Sequence, residues 1–285
     1  MTITKAIIPV AGMGTRFLPL SKAVAKELWP LVDKPVIQYI VEEAKASGIK
    51  EIMFITKGER DAVLDYFKRN QKIEDLLKER KKDRLLAELE KLGELCEGLS
   101  FSHVLQKKPL GDGHAILQAQ KWVGNDPVAV MWADDVVESV EPCLSQLAKI
   151  FETCQKPVLA LYRLPADQLP FYGVADVEKI ANRLFKLKKV IEKPALNEAP
   201  SDLAVVGKYI LTPEVFTYLK KAKPSFRGEI ILADVLDKML SEGKLIYGYE
   251  FKGKWLECGN KAAWLKSSFY LARKHPEFGP GLKDI

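Results

Sequence analysis

Pro9-Val10-Ala11-Gly12-Met13-Gly14-Thr15-Arg16-Phe17-Leu18-Pro19 follows directly on an apolar, β-branched run at 6–10. The run reads as a buried strand, so the glycines and Arg16 fall on the loop at its carboxyl end. Two glycines let the backbone come close to a base and its phosphates, and their N–H groups line an anion-binding concavity. Arg16 adds a fixed charge and bidentate donors suited to a triphosphate. Taken alone, two glycines read more simply as a turn with a surface arginine. The dinucleotide-binding pattern is incomplete, because Phe17 stands where the third glycine belongs and Pro19 prevents a helix from starting at once. Asp33 lies about where a ribose-binding acid would be, but no second strand precedes it. No Gly-Lys-Ser/Thr follows the loop, which excludes a Walker A motif.

Working outward, short apolar runs at 52–55, 101–105, 128–132 and 158–162 predict further buried strands. Helical spacing at 36–46, 61–68, 112–122 and 143–151 alternates with them. That alternation predicts a three-layer α/β domain on a mostly parallel sheet, with ligands beyond the carboxyl ends of the strands. Two segments break the rhythm. Residues 71–95 are Lys/Glu/Leu-rich, with Ile73, Leu76, Leu77, Leu85, Leu86, Leu89 and Leu92 near helical spacing, and predict an inserted helical arm. After Tyr172 the pieces at 173–177, 184–191 and 205–211 look antiparallel, a small mixed β region, before helical signals return at 229–240 and 261–274. No repeat or linker divides residues 1–285, so one domain is expected.

Composition sets bounds. At 285 residues, 47% hydrophobic and 29% charged, the chain has the make-up of a water-soluble globular protein. No apolar run reaches the roughly 18 residues of a membrane span, and the first apolar stretch is too short for a signal peptide, which predicts a cytoplasmic protein without a membrane partner. Cys96, Cys143, Cys154 and Cys258 include no CxxC pair, and three histidines without an HxxxH pair argue against a histidine-based metal site. The net charge of +6 is modest and scattered. Its densest run, Lys78-Glu79-Arg80-Lys81-Lys82-Asp83-Arg84, is interspersed with acids and reads as a solvated helix face in preference to a nucleic-acid patch. A small anionic substrate accounts for the surplus equally well.

Further along come Ser21-Lys22-Ala23-Val24-Ala25-Lys26-Glu27-Leu28-Trp29-Pro30 and Val32-Asp33-Lys34-Pro35. Arg16, Lys22 and Lys26 suit a ligand with several phosphate charges, although the lysines alone read equally well as solvated loop residues. In order, these motifs resemble the sugar-nucleotide pyrophosphorylases, and within them the bacterial UTP–glucose-1-phosphate uridylyltransferases. The likeness runs from residue 5 to about 278 and includes the arm at 71–95.

The resemblance implies a Rossmann-like nucleotidyltransferase fold and an enzyme that joins UTP to glucose 1-phosphate with Mg²⁺, working as a homo-oligomer (dimer or tetramer). It implies that Ala11, Gly12 and Gly14 receive UTP, and that Arg16 and Lys26 clamp the triphosphate. Gln106 and Gly111 match the contacts to uracil, and Asp134 matches a Mg²⁺ ligand in preference to Asp135. Gly173, Glu192 and Val206 match sugar contacts, and Lys193 matches the group that binds the sugar phosphate. Trp255-Leu256-Glu257-Cys258-Gly259-Asn260-Lys261 matches the family's Asp-Cys-Gly-Asn-Lys stretch, with Glu257 in place of the second metal carboxylate. Ala25 stands where the family has proline, which removes a backbone constraint before Lys26. Two rivals are weighed: a same-fold enzyme using another nucleotide or sugar phosphate, and a non-catalytic sugar-nucleotide-binding paralogue.

Overall fold

The computed structural model describes residues 2–58, 62–225 and 228–282. Strand β1 (Lys5–Pro9) enters the glycine loop, and a short hairpin of β2 (Pro30–Leu31) and β3 (Lys34–Pro35) leads to helix α1 (Val36–Ala46) and β4 (Glu51–Thr56). Next come α2 (Ala62–Tyr66), α3 (Gln71–Glu79), α4 (Asp83–Cys96), β5 (Ser100–Leu105), α5 (Asp112–Gln118), α6 (Gln120–Val123) and β6 (Val128–Met131). The chain continues through β7 (Asp135–Glu138), α7 (Cys143–Cys154), β8 (Val158–Arg163), β9 (Gly173–Ala181), β10 (Leu184–Glu192) and β11 (Leu203–Leu211). It ends with α8 (Glu214–Lys221), α9 (Leu232–Ser241), β12 (Tyr247–Glu250), β13 (Lys254–Glu257) and α10 (Lys261–Lys274).

One nine-stranded sheet runs β5-β4-β1-β6-β11-β8-β12-β10-β9. Alternate side chains of its strands face opposite sides, as the pleat requires. Ala6, Ile8, Ile52 and Phe54 pack with Val36, Ile40 and Val41 of α1 and Leu144 and Leu147 of α7. Ile7, Met53 and Ile55 pack the other way, with Ile116 of α5, Phe216 of α8 and Leu236 of α9. Helices therefore cover both faces, and the strand ends carry the loops of the site.

The sheet is mixed, which corrects the expectation of a mostly parallel one. β5, β4, β1 and β6 run parallel, as do β8 and β12. β11 reverses between β6 and β8, and β10 pairs antiparallel with both β9 and β12. The β9–β10 turn is too short for a helical crossover, so these strands can only pair antiparallel. The antiparallel pieces thus belong to the main sheet and not to a region apart.

The arm is a helical hairpin: α3 and α4 are joined through Lys81, whose φ of 51° breaks the helix. Leu92, Leu95 and Cys96 tie its base to the core, while Ile73, Leu76 and Leu85 are exposed. The helix expected at 61–68 is α2, with Asp61 outside the described residues. The one expected at 229–240 starts later, because Ile230 pairs its backbone with Leu110 and Gly113 before α9 begins.

Candidate active site

The loop after β1 is held open by its own backbone. Gly14 sits at φ 62°, and a Cβ there would lie 3.0 Å from the Ser21 Cβ. Only glycine takes both the left-handed turn and the close approach without strain. Phe17, fully buried, anchors the far side edge-on against Trp29 at 4.5 Å. Around Gly12 nothing lies within 4 Å of a would-be Cβ, so that side of the loop faces open space. Arg16 reaches back across the chain, donating from Nη1 to the Gly259 carbonyl at 3.3 Å.

Just beyond the carboxyl end of β6, Asp134 meets Lys26 with Nζ 2.5 Å from Oδ2. Burial pulls the Lys26 ammonium down, but Asp134 and Glu27 together outweigh it and the pKa stands above the ordinary lysine value. Burial likewise pushes Asp134 up, and Lys26 overcomes it and holds the carboxyl below its usual range. Asp135 points the other way. Its Oδ2 accepts from Gly207 N at 3.0 Å and its Oδ1 from Trp255 Nε1 at 2.8 Å. Burial, and then the Asp134 charge, push it up to about 7. A Cβ at Gly207 would come within 2.2 Å of Asp135 Oδ2, so a glycine is required there. Next to it Lys208, fully buried, pairs with Glu43 at 3.0 Å.

β7 pairs with β13 in a separate ribbon, which places Glu257 opposite Asp135. Tyr172 donates its hydroxyl to Glu257 Oε2 at 2.6 Å, and Asn260 donates to Oε1 at 3.2 Å. Burial and then Glu257 push the Tyr172 phenol up. A Cβ on Gly259 would lie 3.1 Å from Asp134 Oδ2, 3.2 Å from Glu257 Oε1 and 3.3 Å from Arg16 Nη1. Two carboxylates and a guanidinium therefore surround one point.

On the opposite wall, Gln106 donates from Nε2 to the Gly111 carbonyl at 2.9 Å, which leaves its Oε1 as an acceptor. Gly111 has φ 96°, and a Cβ there would strike Ile230 O at 2.5 Å. Gly173 lies opposite Glu192 in the β9–β10 register. Lys193 follows at φ 48° with Nζ 2.8 Å from Glu192 Oε1. A non-glycine residue held at positive φ is strained, and such strain concentrates at functional sites.

Most of these residues line two cavities that share part of their walls; Gly14 borders neither, its Cβ position facing Ser21. The outer, of about 890 Å³, is bordered by Ala11, Gly12, Arg16, Lys26, Gln106, Gly111 and Asp134. The inner, of about 230 Å³, is bordered by Gly173, Glu192, Lys193, Glu257 and Gly259. Arg16, Asp112, Trp132, Asp134, Glu192 and Lys193 line both. The Val206 side chain is not brought there: it is fully buried on the other face of the sheet, while Val205 and Gly207 line the inner cavity. The strand's alternation puts 205 and 207 on one face and 206 on the other. Lys22 is exposed and lines neither cavity. Glu27, Asp112, Trp132 and Tyr209 border one or both and escaped the sequence reading; only their proximity in the fold reveals them, and Asp135, passed over for Asp134, lines the inner cavity. Glu27 is buried, and burial pushes its carboxyl up to about 7 against the pull of Lys26.

Among the described residues no group of three or more His, Cys, Asp and Glu side chains is placed to hold a metal ion. Asp134 Oδ2 and Glu257 Oε1, within 3.1 and 3.2 Å of one point beside Gly259, nevertheless fit Mg²⁺, which takes one or two carboxylates and completes its shell with phosphate oxygens and water.

The family model described as nucleotidyl transferase matches residues 5–273. UTP–glucose-1-phosphate uridylyltransferase 1 of Staphylococcus saprophyticus is 39% identical over 274 residues, which cover 96% of this chain and 94% of the relative. A solved UDP-glucose pyrophosphorylase complexed with UDP-glucose superposes with a TM-score of 0.86 at 36% identity, over 96% of this chain and 100% of the other. A UTP-bound UGPase from Acinetobacter baumannii gives a TM-score of 0.90 at 35% identity, over 99% and 98% of the two chains. Similarity on this scale, along almost the whole length, makes the chain a member of the nucleotidyl transferase family, in its UTP–glucose-1-phosphate uridylyltransferase branch.

Proposed function

We propose that the two cavities receive UTP and glucose 1-phosphate and release UDP-glucose and pyrophosphate. The observation that carries this is the convergence of Asp134, Glu257 and Arg16 beside Gly259, with Arg16 and Asp134 lining both cavities. A glucose 1-phosphate oxygen attacks the α-phosphorus of UTP, and the bond to pyrophosphate breaks in line. The attacking oxygen is already ionised at neutral pH, so the reaction needs alignment and charge neutralisation, not a general base.

The chain's own residues supply both. Ala11, Gly12 and Gly14 receive the nucleotide, and Arg16 and Lys26 balance the charge that gathers on the departing pyrophosphate. Gln106 Oε1 accepts from the uracil N3–H, while the Gly111 N–H donates to a uracil oxygen. Gly173 and Glu192 hold the sugar, and Lys193 holds its phosphate toward the α-phosphorus. Mg²⁺, held by Asp134 and Glu257, supplies Lewis-acid polarisation and a template for the two anions when bound. Lys26 and Asp134 already neutralise each other in the free cleft.

We also read residues 1–285 as one three-layer domain, with arm and ribbon attached to a single sheet. The exposed apolar stripe of the arm suits a homo-oligomer, dimer or tetramer. Four unpaired cysteines suit the reducing cytoplasm, and no helix among the described residues is long and apolar enough to cross a membrane. Small anionic substrates account for the basic surplus without nucleic acid. A panel of UTP, dTTP, glucose 1-phosphate and galactose 1-phosphate tests the assignment. Preference for UTP with glucose 1-phosphate is expected, and preference for dTTP contradicts it.

A further inference from the structure

Asp112 begins α5, at the wall common to both cavities. One of its oxygens is fully engaged: Oδ1 accepts from Gly113 N at 2.6 Å and from Leu232 N at 2.9 Å. Those bonds tie the start of α5 to the start of α9. They leave Oδ2 without a hydrogen-bond partner among the described residues, on a residue that lines both cavities. Burial pushes the carboxyl up to about 6, and the nearby Glu192 adds to it.

Tyr209 comes from β11, across the inner cavity's floor. Its side chain is 8% exposed, and its hydroxyl has no hydrogen-bond partner among the described residues. The ring is buried, but the hydroxyl is not one of the unpartnered atoms closed off from solvent, so a ligand or water in the cavity can reach it. Burial and then the Asp112 charge raise its pKa, so the two groups lie within electrostatic reach although they are not hydrogen-bonded. Trp132 packs against Tyr209 with ring centroids 5.6 Å apart and gives this corner an aromatic wall.

We propose that Asp112 and Tyr209 form a specificity-determining pair that reads one neutral ring hydroxyl of the sugar phosphate. The hydroxyl donates to Asp112 Oδ2 and accepts from the Tyr209 hydroxyl. Both groups have open valences that match such a group: a free carboxylate oxygen and a free phenolic proton. A sugar lacking that hydroxyl leaves both groups desolvated and unpaired, which is how a polar pocket rejects a deoxy analogue. The proposal rests on the inner cavity being the sugar site.

Two isosteric variants test it. Asp112→Asn keeps the acceptor for Gly113 and Leu232 while replacing the outward oxygen, and Tyr209→Phe removes only a hydroxyl without a protein partner. Steady-state kinetics are measured for the parent and both variants with UTP and with glucose 1-phosphate and its 2-, 3-, 4- and 6-deoxy analogues. The expected result is a rise in KM for glucose 1-phosphate of roughly tenfold or more in each variant, with KM for UTP unchanged. For one deoxy analogue, the parent's penalty is expected to vanish in both variants. A merely structural role of Asp112 would shift thermal stability and leave the analogue pattern untouched. An active parent whose variants keep the same KM for glucose 1-phosphate, or the same penalties for every analogue, overturns the proposal alone. A parent unable to use glucose 1-phosphate overturns the proposed function and this pair with it.

Discussion

Lys26 Nζ and Asp134 Oδ2 lie 2.5 Å apart, with about four-fifths of each side chain out of solvent, joining the loop after β1 to the end of β6. The pair sits where the proposed chemistry gathers charge, and each partner holds the other ionised against burial.

Lys26→Met is therefore expected to leave Asp134 as an unpaired buried carboxylate and to cost about 3 kcal/mol at pH 7. In the parent, the lowered pKa of Asp134 contributes stability that is present above the ordinary Asp value and lost as pH falls through the folded value. In the variant burial is opposed only by Arg16 and a backbone hydrogen bond, so the deficit is expected to be largest near pH 7 and to shrink as pH falls into the acid range. Urea unfolding across that range checks it. Equal stability of variant and parent at pH 7 contradicts the reading.

Glu27 shows the opposite sign. Its folded pKa, about 7, lies above the ordinary 4.5 because burial dominates. The folded protein binds this proton more tightly than the unfolded chain, so its stabilising effect is full below about pH 4.5 and is lost as pH rises through 7. Glu27→Gln is expected to remove that loss and to gain stability relative to the parent from pH 5 to pH 8, on the order of 3 kcal/mol at most. Parallel melting temperatures over this range would count against the burial argument.

Gly259→Ala places a methyl group where Asp134, Glu257 and Arg16 converge. All three neighbours are side-chain tips, so the fold is expected to survive with a change in stability below about 1 kcal/mol. Turnover is expected to fall by about a hundredfold or more through loss of alignment. Near-parental activity with a normal Mg²⁺ requirement shows that the reacting phosphates lie elsewhere.

How far the sequence carried the argument depends on the range of each signal. β1 and its loop, α1 and α10 were legible because strand and helix periodicity are local. Arg16, Lys26 and Asp134 were singled out by the resemblance; local periodicity alone does not mark them, although the structure brings all three to one cavity. The antiparallel run of β11 was legible, but its place between β6 and β8 in the main sheet was not, because pairing partners lie far along the chain. Nor were the pairs Lys208–Glu43, Asp135–Trp255 and Tyr172–Glu257, each of which spans many residues. The Tyr172 bond shows what the added methylene of Glu257 reaches. Ala25 keeps φ at −56°, within the range a proline ring would fix, so the backbone before Lys26 holds the same course without it.

The arm exposes Ile73 and Leu76 on α3 and Leu85 on α4. If this stripe is covered by another copy of the chain, light scattering of the parent at micromolar concentration is expected to give a multiple of the chain mass. The double variant Ile73→Lys, Leu76→Lys is expected to shift it toward the monomer. A monomeric parent contradicts the homo-oligomer.

The most direct test of the whole account is pyrophosphate release from UTP and glucose 1-phosphate, titrated with Mg²⁺, for the parent and Asp134→Ala. The expected result is Mg²⁺-dependent release with UDP-glucose formed in equal amount, and loss of nearly all turnover in Asp134→Ala at every Mg²⁺ concentration. A parent that binds both substrates without releasing pyrophosphate, or an Asp134→Ala variant with near-normal Mg²⁺-dependent turnover, would contradict it.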